Sequence, residues 1–119
     1  MLLNLNLLVL RCRDLDASRR FYECLGLSFE MHAHGSGPEH LASENPDGVL
    51  ELYPLSETTA DIRDSTGLGF LSHNLMSLSA ELSARGFTPQ PPRDQSWGRT
   101  FVVRDPDGRR VEIKEISVR

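Results

Sequence analysis

The chain reads as an α+β protein built from two tandem βαβββ modules, and three repeated features carry that reading. "NPDGVLELYP", starting at Asn45, and "DPDGRRVEIK", starting at Asp105, each run a Pro-Asp-Gly turn into a strand holding one glutamate among aliphatic residues. The helix exits repeat too: Gly26-Leu27 is matched by Gly86-Phe87 at an offset of sixty. The turns keep that offset, whereas Glu51 and Glu112 stand sixty-one apart, so one extra residue follows the second turn. Helix end, turn and strand glutamate recurring in register mark an internal duplication.

The elements follow in order. "LNLNLLVLR" (3–11) is short and leucine-rich, which predicts a first strand with both faces largely covered. A helix is expected from about Asp16 to Leu25, capped by Asp14 or Asp16, with Leu15, Phe21 and Leu25 on one face and Gly26 as its stop. "LSFEMHA" is a strand, "HGSGP" a turn, "EHLASE" a strand, "NPDG" a turn and "VLELYP" the fourth strand. Residues 56–66 are polar and aperiodic, a linker between module one (1–55) and module two (67–119) of a single domain.

The second module repeats the order. "LGFLS" is a strand, Asn74 caps a helix whose Leu75, Leu78 and Leu82 make the buried stripe, and Gly86 ends it. "FTPQP" is expected at a sheet edge because its prolines lack ladder donors. "RTFVVR", the turn "DPDG" and "RRVEIKEI" complete the hairpin.

Composition limits the partners. The net charge is −4, and no basic stripe is present to neutralise a polyanion, so no nucleic acid is expected. A basic amphipathic helix for a membrane surface is missing as well, and the apolar start is too short to span a bilayer. That start also lacks a basic n-region and a small-residue cleavage site, which places the protein in the cytoplasm. Cys12 and Cys24 form no CxxC pair and read as reduced, small apolar residues.

Strand alternation assigns faces. Val49, Glu51 and Tyr53 share one, with Leu50 and Leu52 turned to the helix; Arg110, Glu112 and Lys114 share another, with Val111 and Ile113 inward. Both glutamates therefore leave the core. Each reads as part of a solvated face, a polar contact to an organic ligand, or one arm of a metal site.

Paired βαβββ modules of this length resemble the vicinal-oxygen-chelate superfamily, which includes glyoxalase I, bleomycin-resistance proteins and extradiol dioxygenases. "RDLDASRRFYECLGL" is similar to the family's first helix and its exit, "LGFLSHNLMSLSAELSARGF" to its fifth strand and second helix, and "WGRTFVVRDPDGRRVEI" to its closing hairpin. The resemblance implies curled mixed sheets forming a cupped, barrel-like cavity, often completed across a homodimer. It also implies four metal ligands, one from the first and fourth strand of each module. These fall on Leu7, Glu51, Gly67 or Phe70, and Glu112. The family's usual imidazoles are missing, so no metal ligand set and no cofactor are expected. Two carboxylates leave room only for a weakly bound divalent cation.

The resemblance thus implies a small-molecule ligand bound by Leu7, His40, Glu51, Tyr53, Phe70, Trp97, Phe101 and Glu112. Leu7, Tyr53, Phe70 and Phe101 supply apolar lining, and Trp97 an aromatic wall at the rim. His40 reads either as a residue beside a turn or as an imidazole pointing into the cup, where it is an acid-base group or a displaced metal ligand; His32 and His34 share a face. Two functions remain open: a metal-independent binding protein of the bleomycin-resistance type, or a divalent-metal-dependent lyase, isomerase or dioxygenase. No catalytic residue can be assigned.

Overall fold

The computed structural model describes residues 2–56 and 64–116. Most of the expected linker, residues 57–63, lies outside them. The chain divides into two compact units, Met1–Ile62 and Arg63–Arg119. The first unit runs β1 (Leu7–Cys12), α1 (Leu15–Cys24), β2 (Glu30–His32), β3 (His40–Asn45) and β4 (Gly48–Pro54). The second runs β5 (Gly67–Ser72), α2 (Leu75–Ala84), β6 (Arg93–Gln95), β7 (Gly98–Arg104) and β8 (Arg110–Glu115). Each unit is therefore βαβββ, and the α+β reading holds.

The sheets have the same wiring. The first is ordered β1-β4-β3-β2 and the second β5-β8-β7-β6, and neither closes on itself. In both, the module's first strand pairs in parallel with its last, and the remaining pairs are antiparallel. One face of each sheet carries the helix; the other is where the glutamates stand.

Local chemistry explains the helix limits. Asp14 is the N-cap of α1 and accepts from the Ala17 N–H at 3.0 Å; Asn74 does the same for α2 through Ser77 at 3.3 Å. Such a cap contributes about 1 kcal/mol. Both helices close by one device. Leu27 N–H donates to Tyr22 O and Gly26 N–H to Glu23 O, while Phe87 N–H donates to Leu82 O and Gly86 N–H to Ser83 O. This crossed pair needs a left-handed residue after the cap, and Gly26 and Gly86 supply it with φ of 100° and 91°.

The cores match the predicted alternation. Leu10, Cys12, Phe21, Tyr22, Leu50 and Leu52 are buried in the first unit. Leu75, Leu82, Phe101, Val111 and Ile113 are buried in the second, and Leu78 is half-buried. Each fully buried large apolar side chain contributes about 1.5–3 kcal/mol.

Three expectations are corrected. The first strand begins at Leu7 rather than Leu3, and Leu2, Leu3 and Leu5 are exposed. Only its Leu8-Leu10-Cys12 side is covered, because α1 packs on one face of the sheet alone. In α1, Ser18, Phe21, Tyr22 and Cys24 form the buried face, and Leu15 and Leu25 are only partly covered. "FTPQP" stays outside the ladder, since Pro89, Pro91 and Pro92 carry no N–H; Gln90 alone reaches Val102 O at 2.8 Å, and the edge strand forms later, at 93–95.

Candidate functional site

The helix-free face of the first unit gathers the chemistry. Register puts Arg11 of β1 beside Tyr53 of β4, and His40 of β3 beside His32 of β2. The rings of His40 and Tyr53 stack at 4.2 Å with 6° between their planes, which joins the two pairs into one row across the sheet. The Arg11 guanidinium sits over the Tyr53 ring, 4.7 Å from its centroid. One row along the strands, Val9, Glu51 and Ala42 are in register, and the Glu51 side chain is 17% exposed.

His40 is the pivot of this face. Its side chain is 2% exposed, its Nδ1 lies 3.2 Å from Pro38 O, and its Nε2 lies 3.3 Å from Glu51 Oε2. A carbonyl only accepts, so Nδ1 carries a proton and donates it to Pro38. The Nε2–Glu51 contact is close enough for an ion pair but is not aligned as a hydrogen bond. His40 Nε2 is the one buried side-chain polar atom without a hydrogen-bond partner among the described residues.

His32 and His34 complete the group. Their rings lie 5.9 Å from each other and 5.9 and 5.3 Å from that of His40. The turn makes this possible: Gly37 N–H donates to His34 O at 3.0 Å, and Gly35 takes φ of 59°, folding His34 back over the strand pair. One ring nitrogen from each of the three lies within 4.8 Å of the others.

The remaining expected site residues are dispersed. Leu7 lies on the Glu51 face, two residues before Val9, and is 47% exposed. Glu112 holds the matching place in the second unit, where its carboxylate is 3.6 Å from Arg110. Phe70 and Phe101 are both in register with Ile113, which is wholly buried, so they point away from Glu112 and into the core; neither lines its face. Trp97 sits in the turn between β6 and β7 and is 54% exposed.

The strongest electrostatic cluster in the second unit was not foreseen. The extra residue after the second turn is Arg109, buried to 1% exposure. Its Nε donates to Asp64, its Nη1 to Asp105 Oδ2 at 3.1 Å, and Asp107 lies 3.5 Å away. Burial pulls the guanidinium's pKa down, but hydrogen bonds and charge from Asp64 and Asp105 outweigh it and hold the group above its ordinary value. Burial likewise pushes Asp64 up, and hydrogen bonds from Thr66 and Arg109 bring it below the usual aspartate value. This cluster closes the turn. The sequence signal available was the extra residue itself.

The positions that the family resemblance assigns to metal ligands hold two carboxylates, Glu51 and Glu112. Leu7 and Gly67 or Phe70 offer no donor atom, which leaves one carboxylate in each unit.

Comparison with known proteins gives a family and a fold. The family model for the Glyoxalase/Bleomycin resistance protein/Dioxygenase superfamily matches residues 4–113. TnmS3, an antibiotic binding protein from Streptomyces sp. CB03234, is 23% identical, with TM-score 0.80 and 98% of each chain covered. A bleomycin-binding protein complexed with bleomycin is 20% identical, with TM-score 0.68 over 96% of this chain and 98% of that one. Lactoylglutathione lyase from Agrobacterium tumefaciens is 22% identical, with TM-score 0.70 over 93% and 92%. Likeness at this level establishes the fold. No curated protein sequence matches.

Proposed function

This chain belongs to the glyoxalase/bleomycin resistance protein/dioxygenase superfamily, and we propose that within it the chain binds a small organic molecule without the family's four-ligand metal centre. The observation that carries this reading is the Arg11–Tyr53–His40 row with Glu51 beside it. The Arg11 guanidinium and the His40 ring fix the partly exposed Tyr53 in place, so it offers a ligand a rigid aromatic edge, and the carboxylate favours a cationic group on the ligand. The family's first and third ligand positions, occupied by Leu7 and by Gly67 or Phe70, support the metal-independent part. Sequestration needs affinity and no catalytic group, in keeping with the antibiotic-binding and bleomycin-binding proteins that share the fold.

The protein acts in the cytoplasm, as a homodimer in the manner the resemblance implies. Both cysteines are buried thiols, and no helix among the described residues is long and apolar enough to cross a membrane.

The test is calorimetric titration in the presence of EDTA, with bleomycin as the first probe and a set of planar aromatic amines as the second. A saturable isotherm is expected for at least one probe, weakened by about tenfold or more in Tyr53→Ala. Glu51→Gln should weaken the amines and spare their neutral analogues. Absence of any saturable isotherm, or full affinity in Tyr53→Ala, counts against the reading.

A further inference from the structure

We propose that His32, His34 and His40 form a binding site for a first-row divalent cation of the zinc or nickel class, on three histidines outside the family's four ligand positions, of which only Glu51 borders the site. The site lies wholly in the first unit, on the β2–β3 hairpin. It stands whether or not an organic molecule binds the same sheet face.

Three features favour a cation there. Imidazole is the ligand type suited to zinc and nickel, and three imidazoles leave a further coordination position open. One ring nitrogen from each lies within 4.8 Å of the other two. Ligands of a tetrahedral ion with metal–nitrogen bonds of ~2.1 Å stand about 3.4 Å apart. His34 is exposed and has room to turn, whereas His40 is buried and held in place.

The second feature is the state of His40. Its Nδ1 proton is directed at the Pro38 carbonyl, as a metal-bound histidine directs its other ring N–H to an outer partner. Its Nε2 is buried and without a hydrogen-bond partner among the described residues. Burying such an atom unpaired costs about 1–3 kcal/mol, and a coordinated cation removes that cost.

The third feature is Glu51. Its Oε2 is 3.3 Å from His40 Nε2, about the separation of two ligands sharing one tetrahedral ion. A divalent cation held between this nitrogen and the carboxylate is attracted to both. Glu51 is thereby placed as the fourth ligand or as the outer carboxylate beside His40.

The experiment titrates Ni²⁺ and Zn²⁺ into tag-free full-length chain with no organic compound present, so that its result is separate from that of the ligand titrations. Co²⁺ absorbance gives a second readout of imidazole coordination. The expected result is one ion per chain, with affinity falling at least about tenfold in both His32→Ala and His34→Ala. The partly exposed and exposed positions of these two allow substitution without loss of the core, which His40→Ala does not guarantee. His73→Ala, which alters the one histidine outside the cluster, should bind as the parent does. No heat and no Co²⁺ spectrum overturns the proposal, and so does full affinity in His32→Ala and His34→Ala.

Discussion

In the first unit the helix-free face carries Leu7, Val9, Glu51, Tyr53, His40 and His32. Strand register matches these to Gly67, Gly69, Glu112, Lys114, Thr100 and Arg93 in the second. Only the glutamate is common to both. One copy of the duplicated frame thus presents rings beside its carboxylate, and the other presents two glycines, basic groups and Leu71 beside its own. The hairpins differ in a complementary way. Asn45 pairs with Gly48 across a two-residue turn, whereas Arg104 pairs with Arg110 across five residues that enclose the buried Arg109. The first unit concentrates its polar chemistry on the open face, and the second invests it in closing a turn.

Breaking the turn cluster should have the largest effect. Arg109→Met leaves Asp64, Asp105 and Asp107 without their shared cation, and loss of about 3–5 kcal/mol is expected in chemical denaturation followed by circular dichroism. The first unit has no matching ion cluster among its described residues. A small effect would show that the turn holds without Arg109.

The two turn-to-strand glycines sharpen the contrast next. Gly48 and Gly98 have φ of 135° and 133°, so alanine is strained at either. A Cβ at Gly48 would lie 2.8 Å from Asn6 O, a backbone atom, whereas at Gly98 it would meet the end of the Lys114 side chain, also at 2.8 Å. Lysine can swing away and backbone cannot. Gly48→Ala should cost about 2–3 kcal/mol and Gly98→Ala about 1 kcal/mol, read as the shift in denaturation midpoint.

The acid limb of stability offers a smaller test. Asp64 titrates below its ordinary value in the folded chain, so its contribution is present above the unfolded aspartate pKa. It is lost as pH falls through the lower folded value. Asp64→Asn should therefore destabilise at neutral pH and flatten the decline of stability below about pH 4, by no more than ~1 kcal/mol given its partial exposure. The smallest effect is expected from Glu112→Gln. Its partner Arg110 is half exposed, and the pair contributes no more than about 0.5 kcal/mol, within the error of a melting curve. A larger change would give Glu112 a role beyond a solvated pair.

Much of this contrast was legible beforehand where it depended on spacing. The period of two placed Leu50, Leu52, Val111 and Ile113 inward and both glutamates outward, and the side-chain exposures agree. Helix caps and glycine exits were readable because each is a local hydrogen-bond requirement. Phe70 and Phe101 were assigned to the site as apolar lining, yet register with Ile113 turns both to the core. Arg109 carried no sequence signal beyond being the extra residue, since nothing local announces that three aspartates converge on it.

The histidines mark the same boundary. Alternation related His32 to His34, but only the β2–β3 register sets His32 opposite His40, and only the fold of the intervening turn brings His34 over them. By itself, then, the sequence determined the duplication, the element order, the caps and the outward glutamates, because each follows from periodicity or from a hydrogen bond made within a few residues. The tertiary structure decided which side chains share the open face, which arginine is buried and which ring nitrogen lacks a partner. Those depend on pairing between strands and on turn geometry, where a shift of one residue sends a side chain to the opposite face.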